Sequence, residues 1–160
     1  MRVIEKTIFK FDELSDSAKQ NAIDWFKNGK SYSWVDEGID SIKEFCDHYG
    51  VALEQYSLDP YSYSFIDTNA ENRHFRGVTL KKVLSERALM PTGYCVDSDL
   101  FYTMADSMKA TGNALSAFND AIEAGKKAII ADMEWQNSDE YATESILANE
   151  YEFNEDGEIV

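Results

Sequence analysis

The sequence predicts an α+β fold: a small antiparallel sheet with about five helices packed on it, and a C-terminal hairpin. Segments that alternate apolar and polar residues stand at the start, in the middle and at the end of the chain. Segments with helical periodicity fill the intervals, and there is neither βαβ repetition nor an internal repeat. With 160 residues, 44% of them apolar, the chain fits a single domain over residues 1–160.

The first predicted element is a strand in RVIEKTIFKF, where β-branched and aromatic residues dominate. Both of its faces carry apolar side chains, which favours a central strand or one that helices cover. A short helix is predicted next, from about Asp16 to Lys27. Ser15 is its expected N-cap, and Asn28–Gly29 is its stop signal.

The second predicted helix, in SWVDEGIDSIKEFCDHYG, has the clearest periodicity in the chain. Its apolar residues recur at steps of four and three and so share one face, and Gly50 ends it. They are Val35, Ile39, Ile42, Phe45, Cys46 and Tyr49. Charged residues fall outside this stripe, and apart from Lys43 they are acidic, which predicts an acidic outer face: Asp36, Glu37, Asp40, Glu44 and Asp47.

The middle of the chain predicts two strands, over about residues 51–58 and 62–68. Pro60 is placed at the second position of the turn that joins them. The later segment FRGVTLKKVL fits either a third strand or a short strand that leads into a helix.

Two further helices are predicted after the motif PTGY. Asp97 or Ser98 is expected to cap the first, which ends at Gly112. Asn113 opens the longest periodic run, in which Gly125 is a weak position.

The C-terminal segment predicts one more helix and then a hairpin. Ser138 is the expected N-cap, and the acids that follow it suit the positive end of the helix dipole. The sequence YEFNEDGEIV predicts strand, turn and strand, with Gly157 able to take a positive φ.

The charge balance bounds the classes of partner. The chain has 30 acidic and 15 basic residues, for a net charge of −15. Such a field repels phosphate backbones and anionic lipids, so direct nucleic-acid binding and membrane docking are disfavoured. It favours encounter with basic protein surfaces. No signal-peptide pattern and no run of 18 apolar residues is present, which predicts a cytoplasmic protein with reduced thiols.

The sequence contains no catalytic motif and predicts neither a metal site nor a cofactor. Cys46 and Cys95 have no metal-ligand spacing with His48 or His74. The segment VDSDLFYTMADS lacks the glycine and the final glutamate of a calcium loop, and no glycine-rich phosphate loop occurs. An enzyme with an unrecognised site around Cys95, His74 or the acids is kept as an alternative.

Tyrosine-rich strands provide another alternative. Tyr56, Tyr61, Tyr63 and Phe65 fall within QYSLDPYSYSF. Aromatic strands stack nucleic-acid bases when a basic groove accompanies them, and that groove is missing here. Core packing explains these residues, and so does a protein interface in which the acids only confer solubility.

The segments FDELSDSAKQNAIDWF and WVDEGIDSIKEFCDHYGV together resemble a family of small bacteriophage proteins that begin with FDELSxxAKxxAxxW. Many members carry QGDGA after the second helix, where this chain has SYSFIDTNAENRHFRG. These proteins are often labelled as antitoxins of toxin–antitoxin stability systems. The matching residues are Phe11, Asp12, Glu13, Leu14, Ser15, Ala18, Lys19, Ala22, Trp25, Trp34 and Asp36. The resemblance implies a non-enzymatic protein that acts in the cytoplasm of a bacterial host.

Together these observations predict an acidic protein that inhibits a host defence or toxin protein by occupying its basic surface. Antitoxin, anti-restriction and anti-CRISPR roles all fit, since rigid carboxylates can replace phosphates against Lys and Arg. The expected contact residues are Asp139, Glu140, Glu144, Glu150, Glu152, Glu155 and Asp156, with the acids of the second helix as a further patch. Alternatively, these carboxylates form a solvated face whose counter-charges come from earlier residues such as Lys126, Lys127 or Arg87.

Overall fold

The computed structural model describes residues 1–29 and 31–160 and confirms the α+β class with antiparallel strand pairs. The helices in these residues are α1 Asp16–Asn28, α2 Val35–His48, α3 Leu80–Glu86, α4 Val96–Thr111, α5 Ala114–Gln136 and α6 Asp139–Ala148. The strands are β1 Phe9–Lys10, β2 Leu53–Ser57, β3 Phe65–Thr68 and β4 Glu152–Phe153. Strand β1 pairs with β4 and β2 with β3, so the antiparallel pairing is divided between two two-stranded sheets.

The chain groups into two compact units. We call Met1–Tyr32 with Glu134–Val160 the terminal unit, and Ser33–Met133 the central unit. The prediction that residues 1–160 form a single domain stays a prediction. No helix in the described ranges is long and apolar enough to cross a membrane.

The terminal unit has its own hydrophobic core. Its buried members are Phe11, Leu14, Ala18, Ala22, Ile23, Ala142, Ile146 and Phe153. Helices α1 and α6 pack together, and Ser15 caps α1 by accepting a hydrogen bond from the Ala18 N–H at 3.2 Å, as predicted. The aromatic rings of Phe11 and Phe153 meet edge to face at 6.4 Å. This core therefore joins the first and last segments of the chain.

The predicted N-terminal strand is wrong in extent and in setting. Only Phe9 and Lys10 pair, residues 1–8 are exposed, and β4 is the one partner of β1 in the described residues. The strand ends because the chain turns into a 3₁₀ segment at Phe11–Glu13, where the Lys10 N–H donates to the Glu13 carboxylate at 2.7 Å. β1 is therefore neither central nor covered along its predicted length.

The predicted C-terminal hairpin is present. Phe153 of β4 bridges to Ile159 across the turn. The Asn154 side-chain oxygen accepts hydrogen bonds from the N–H groups of Asp156 and Glu158, at 3.0 and 2.9 Å. Gly157 has φ of 83°, as expected, and its Cα lies so near the Ala18 carbonyl that a β-carbon would overlap it. The turn is therefore seated directly on α1.

The central unit is built around a cluster of aromatic rings on α2, α4 and α5. Phe45 of α2 meets Phe101 edge to face and stacks on Phe118, each at 5.1 Å between centroids. Gly125 is explained by packing, because a β-carbon there would crowd the Leu100 side chain. The segment FRGVTLKKVL contains no strand in the described structure. It contributes to a 3₁₀ segment at Asn72–Phe75 and then to α3, which Thr79 caps.

The predicted N-cap of α4 is wrong, whereas the helix ends at Gly112 as predicted. The helix begins at Val96 with Cys95 as its N-cap residue, so neither Asp97 nor Ser98 caps it. Asp97 is fully buried instead. Its carboxylate accepts hydrogen bonds from the N–H groups of Thr92 and Gly93 and from the Thr92 hydroxyl, all at 2.9–3.0 Å. These bonds hold the loop before α4 and compensate the burial of the charge.

Candidate acidic interface

The outer face of α2 carries five acids in one narrow strip, which we call the α2 strip. Its members are Asp36, Glu37, Asp40, Glu44 and Asp47, and all five are exposed. At about 100° of rotation per residue, they fall within an arc of roughly 100° around the helix axis. Ile39, Ile42 and Phe45 are buried and anchor the helix in the core. The strip is therefore displayed on a helix whose orientation packing determines.

The axial spacing of the α2 strip resembles that of phosphates in a nucleic-acid strand. At about 1.5 Å of rise per residue, the strip spans roughly 16 Å from Asp36 to Asp47. That is one carboxylate for about every 4 Å, against one phosphate per about 3.4 Å along a single strand of B-DNA. The exposed Lys43 lies at the edge of the same arc, so the net charge density of this face is lower than that of a phosphate strand, although its carboxylate spacing is similar.

No member of the α2 strip forms a salt bridge with a described Lys, Arg or His. Asp36 and Glu37 lie in the first turn, where the helix dipole stabilises acids. Glu44 and Asp47 lie toward the other end, where the dipole disfavours them. The second half of the strip is thus not explained by helix stability.

The seven acids predicted near the C-terminus, which we call the terminal acids, are exposed as well. They are Asp139, Glu140, Glu144, Glu150, Glu152, Glu155 and Asp156. Two of them have counter-charges inside the terminal unit. Lys27 Nζ lies 2.7 Å from the Asp139 carboxylate, and Lys10 Nζ lies 3.1 Å from that of Glu152.

The counter-charges come from residues earlier in the chain, as the alternative raised by the sequence expects, but from other bases than the three it names. The bases that pair with the terminal acids are Lys10 and Lys27, whereas Lys126 pairs with Glu123 at 2.9 Å. The terminal acids are also distributed over α6, β4 and the loops that follow each of them. They are therefore less uniform in direction than acids on one helix, and part of their charge is neutralised locally.

An aromatic pair near the start of α2 was not predicted. Trp34 precedes the helix with a left-handed backbone, φ 69°, and its side chain is 60% exposed. Its ring stacks on Tyr94 with centroids 6.4 Å apart and planes 19° from parallel. Burial, followed by the charges of Cys95, Asp132 and Glu37, raises the pKa of Tyr94 to about 12, so the phenol stays neutral. Exposed aromatic faces beside acids suit Arg side chains, which stack and pair together.

Each histidine ring is hydrogen-bonded to a glutamate residue. The His74 ring accepts a hydrogen bond from the Glu71 N–H at 2.9 Å, and the His48 ring contacts Glu86 at 2.6 Å. Cys95 is exposed, whereas Cys46 is buried. Burial, with the charge of Asp47, raises the pKa of the Cys46 thiol to about 12, which makes it a poor nucleophile. No group of three or more His, Cys, Asp or Glu residues in the described ranges is placed to hold a metal ion.

The tyrosine-rich hairpin consists of β2, β3 and the turn between them, and two of its tyrosines are open to solvent. Tyr61 and Tyr63 are 70% and 83% exposed, and Tyr63 stacks on Phe65 at 6.0 Å. Core packing therefore does not account for these two side chains.

No family model matches the chain, and no curated protein and no solved structure matches it significantly. The resemblance to the bacteriophage family stays a prediction.

Proposed function

We propose that this protein is a non-enzymatic inhibitor of bacteriophage type that occupies the basic, nucleic-acid-binding surface of a host defence or toxin protein. The observation that carries the proposal is the α2 strip, with five exposed carboxylates on one helix at nearly the spacing of phosphates. Antitoxin, anti-restriction and anti-CRISPR roles would all use this surface chemistry.

The energetics favour this use of the α2 strip. Carboxylates paired with Lys or Arg make charge-assisted hydrogen bonds, which are about twice as strong as neutral ones. Packing of α2 through Ile39, Ile42 and Phe45 sets the orientation of the strip before a partner arrives. That preorganisation lowers the entropic cost of binding. The terminal acids act mainly at longer range, by steering a basic partner toward the protein.

The test begins with partner capture. The protein is immobilised and exposed to the fraction of a bacterial lysate that binds phosphocellulose, which is enriched in basic nucleic-acid-binding surfaces. The expected partner is retained and is released by excess double-stranded DNA, because DNA and the α2 strip compete for one surface.

The affinity of the captured partner is then measured at increasing salt for two matched variants. D36N/D40N/E44Q/D47N is expected to weaken binding about 100-fold or more and to flatten the salt dependence, since four charge-assisted contacts are lost. E140Q/E144Q/E150Q/E155Q removes the same charge and is expected to cost about threefold at most. Equal losses in the two variants, or no loss in the first, would reject the α2 strip as the contact surface.

A second candidate function is an interaction module that uses the tyrosine-rich hairpin, and the exposure of Tyr61 and Tyr63 favours it. In that case Y61S/Y63S would abolish capture, and salt would have little effect on affinity because the contact is mostly apolar. The double variant D36N/D40N would then bind as well as the wild type.

A further inference from the structure

A groove opens beside the C-terminal end of α2, within the central unit. Its volume is about 410 Å³. The floor is apolar and consists of Leu89, Met90, Pro91 and Phe101. The edge on the α2 side is formed by Glu44 and Asp47, the last two members of the α2 strip, together with His48.

Two large apolar side chains of the floor remain partly open to water. Leu89 and Met90 are 41% and 43% exposed, while Phe101 is buried and closes the bottom. Burying such side chains against a partner is favourable, because it removes apolar surface from water. Methionine adapts its shape to the partner that it meets. The floor therefore suits an aliphatic side chain from another molecule.

The rim selects the charge of that molecule. Glu44 and Asp47 are exposed and have no salt bridge with any base in the described part of the chain. The nearby His48 is engaged with Glu86, at 2.6 Å between Nε2 and Oε2. A ligand that enters the groove thus meets an apolar floor and carboxylates at one edge. The complementary chemistry is an aliphatic side chain next to a Lys or Arg.

We propose that the groove docks a helical segment of the basic partner protein, with an aliphatic side chain on the floor and a Lys or Arg one helical turn away against Glu44 and Asp47. This inference rests on the proposed function, and it adds the apolar part of the recognition. Salt bridges by themselves select any basic surface, whereas an aliphatic anchor restricts binding to a partner of matching shape.

Charge argues against the other occupants. A second copy of this chain carries a net charge of −15 and would bring acids toward acids. Anionic lipids and nucleic acids would meet the same repulsion at the rim. A basic protein segment is the occupant that satisfies both the floor and the rim.

The test uses three synthetic helical peptides of equal length. The first carries leucines on one face and lysines on the other, the second has each leucine replaced by serine, and the third has each lysine replaced by glutamate. Dissociation constants are measured by fluorescence anisotropy, and the contact surface is mapped by ¹⁵N amide chemical shifts. The leucine–lysine peptide is expected to bind about tenfold tighter than the serine–lysine peptide. It should shift the amides of residues 86–90 and 101 as well as those of α2.

Variants in the groove separate the apolar contact from the charge contact. L89S/M90S is expected to abolish the tenfold advantage of the leucine–lysine peptide and to leave the affinity for the serine–lysine peptide unchanged. L80S changes another exposed leucine in the central unit, at the start of α3, and should keep the advantage. Leu80, Leu89 and Met90 are each more than a third exposed and lie outside the buried core, so neither variant removes a core side chain.

Failure of this inference differs from failure of the proposed function. Equal affinity of the two lysine peptides would overturn the groove as a docking site and leave the proposed role of the α2 strip intact. The same holds if the advantage of the leucine–lysine peptide survives L89S/M90S. Tight binding of the leucine–glutamate peptide would overturn the assigned partner chemistry. A self-association in ultracentrifugation that L89S/M90S abolishes would show a second copy as the occupant and would also overturn it. A leucine advantage that persists while D36N/D40N leaves the affinity for both lysine peptides unchanged would reject the α2 strip as the contact surface while supporting the groove.

Discussion

The α2 strip and the terminal acids have the same charge chemistry, but the chain holds them in different ways. The strip is presented by one helix within one arc, and its carboxylates have no salt bridge in the described residues. The terminal acids are spread over α6, β4 and the adjoining loops, and Lys10 and Lys27 neutralise two of them. A dense run of acids in the sequence is thus a weaker indication of an interface than a sparser set that shares one helical face.

The two sets of acids are also anchored in different ways. α2 is anchored by several buried apolar side chains, whereas the turn that carries Glu155 and Asp156 depends on the close approach of Gly157 to Ala18. We therefore expect Gly157→Ala to lower the free energy of unfolding by about 3 kcal/mol or more. A left-handed backbone costs an alanine about 1–2 kcal/mol, and overlap with the Ala18 carbonyl adds to this. Urea denaturation followed by tryptophan fluorescence measures the change.

Gly112→Ala is the matched control, because Gly112 has φ of 65° and open space around its Cα. Only the backbone cost of about 1–2 kcal/mol is expected there. Equal losses in the two variants would contradict the view that the contact with α1 holds the turn.

Because Cys46 is buried on the inner face of α2, we expect the stability of the protein to depend on pH in the alkaline range. The Cys46 thiol has its pKa raised from 9.0 to about 12, first by burial and then by Asp47. Above pH 9 the unfolded chain releases this proton while the folded chain retains it, so stability falls as pH rises from 9 toward 12. The expected loss from this group is about 1 kcal/mol by pH 10. Urea midpoints at pH 8.5 and pH 10 measure it, and C46A should reduce the slope.

A slope unchanged in C46A would show that the core around the inner face of α2 is open to water.

Removing the counter-charges should make the terminal acids behave more like the α2 strip. K10Q/K27Q frees the Asp139 and Glu152 carboxylates. Because both pairs are partly exposed, the expected cost in stability is less than about 1 kcal/mol for each. Affinity for the serine–lysine peptide should rise several-fold at low salt and return to the wild-type value at high salt. Fluorescence anisotropy at two salt concentrations measures both effects.

K81Q/K82Q removes the same charge from exposed positions of α3 and is the matched control. If it raised the affinity as much as K10Q/K27Q, net charge rather than freed carboxylates would explain the result.

The smallest expected effect distinguishes the two ends of the α2 strip. Asp47 lies in the last turn of α2, so D47N should raise the free energy of unfolding by about 0.3–1 kcal/mol. Asp36 lies in the first turn, so D36N should lower it by a similar amount. Thermal unfolding at low salt compares the two variants. Changes of the same sign would show that repulsion within the strip outweighs the helix dipole.

Much of the local structure could be predicted from the sequence because it depends on neighbouring residues. Ser15 and Ser138 cap their helices as predicted, α4 ends at Gly112 as predicted, and Gly157 takes the expected positive φ. The acids of α2 also fall on its outer face as predicted, since a helical period assigns faces from residue spacing. The N-terminal strand was overestimated because its alternation continues through residues that nothing in the described structure covers.

By itself, the sequence determined the acidic charge, the helix caps and the acidic face of α2, because these follow from composition and from contacts within a few residues. Only the tertiary structure decided which carboxylates have counter-charges. Lys10 and Glu152 lie 142 residues apart in the chain, and Lys27 and Asp139 lie 112 apart, so no local pattern connects them. The groove also depends on the tertiary structure, because Leu89 and Met90 border Glu44 and Asp47 only after α2 and α4 pack together.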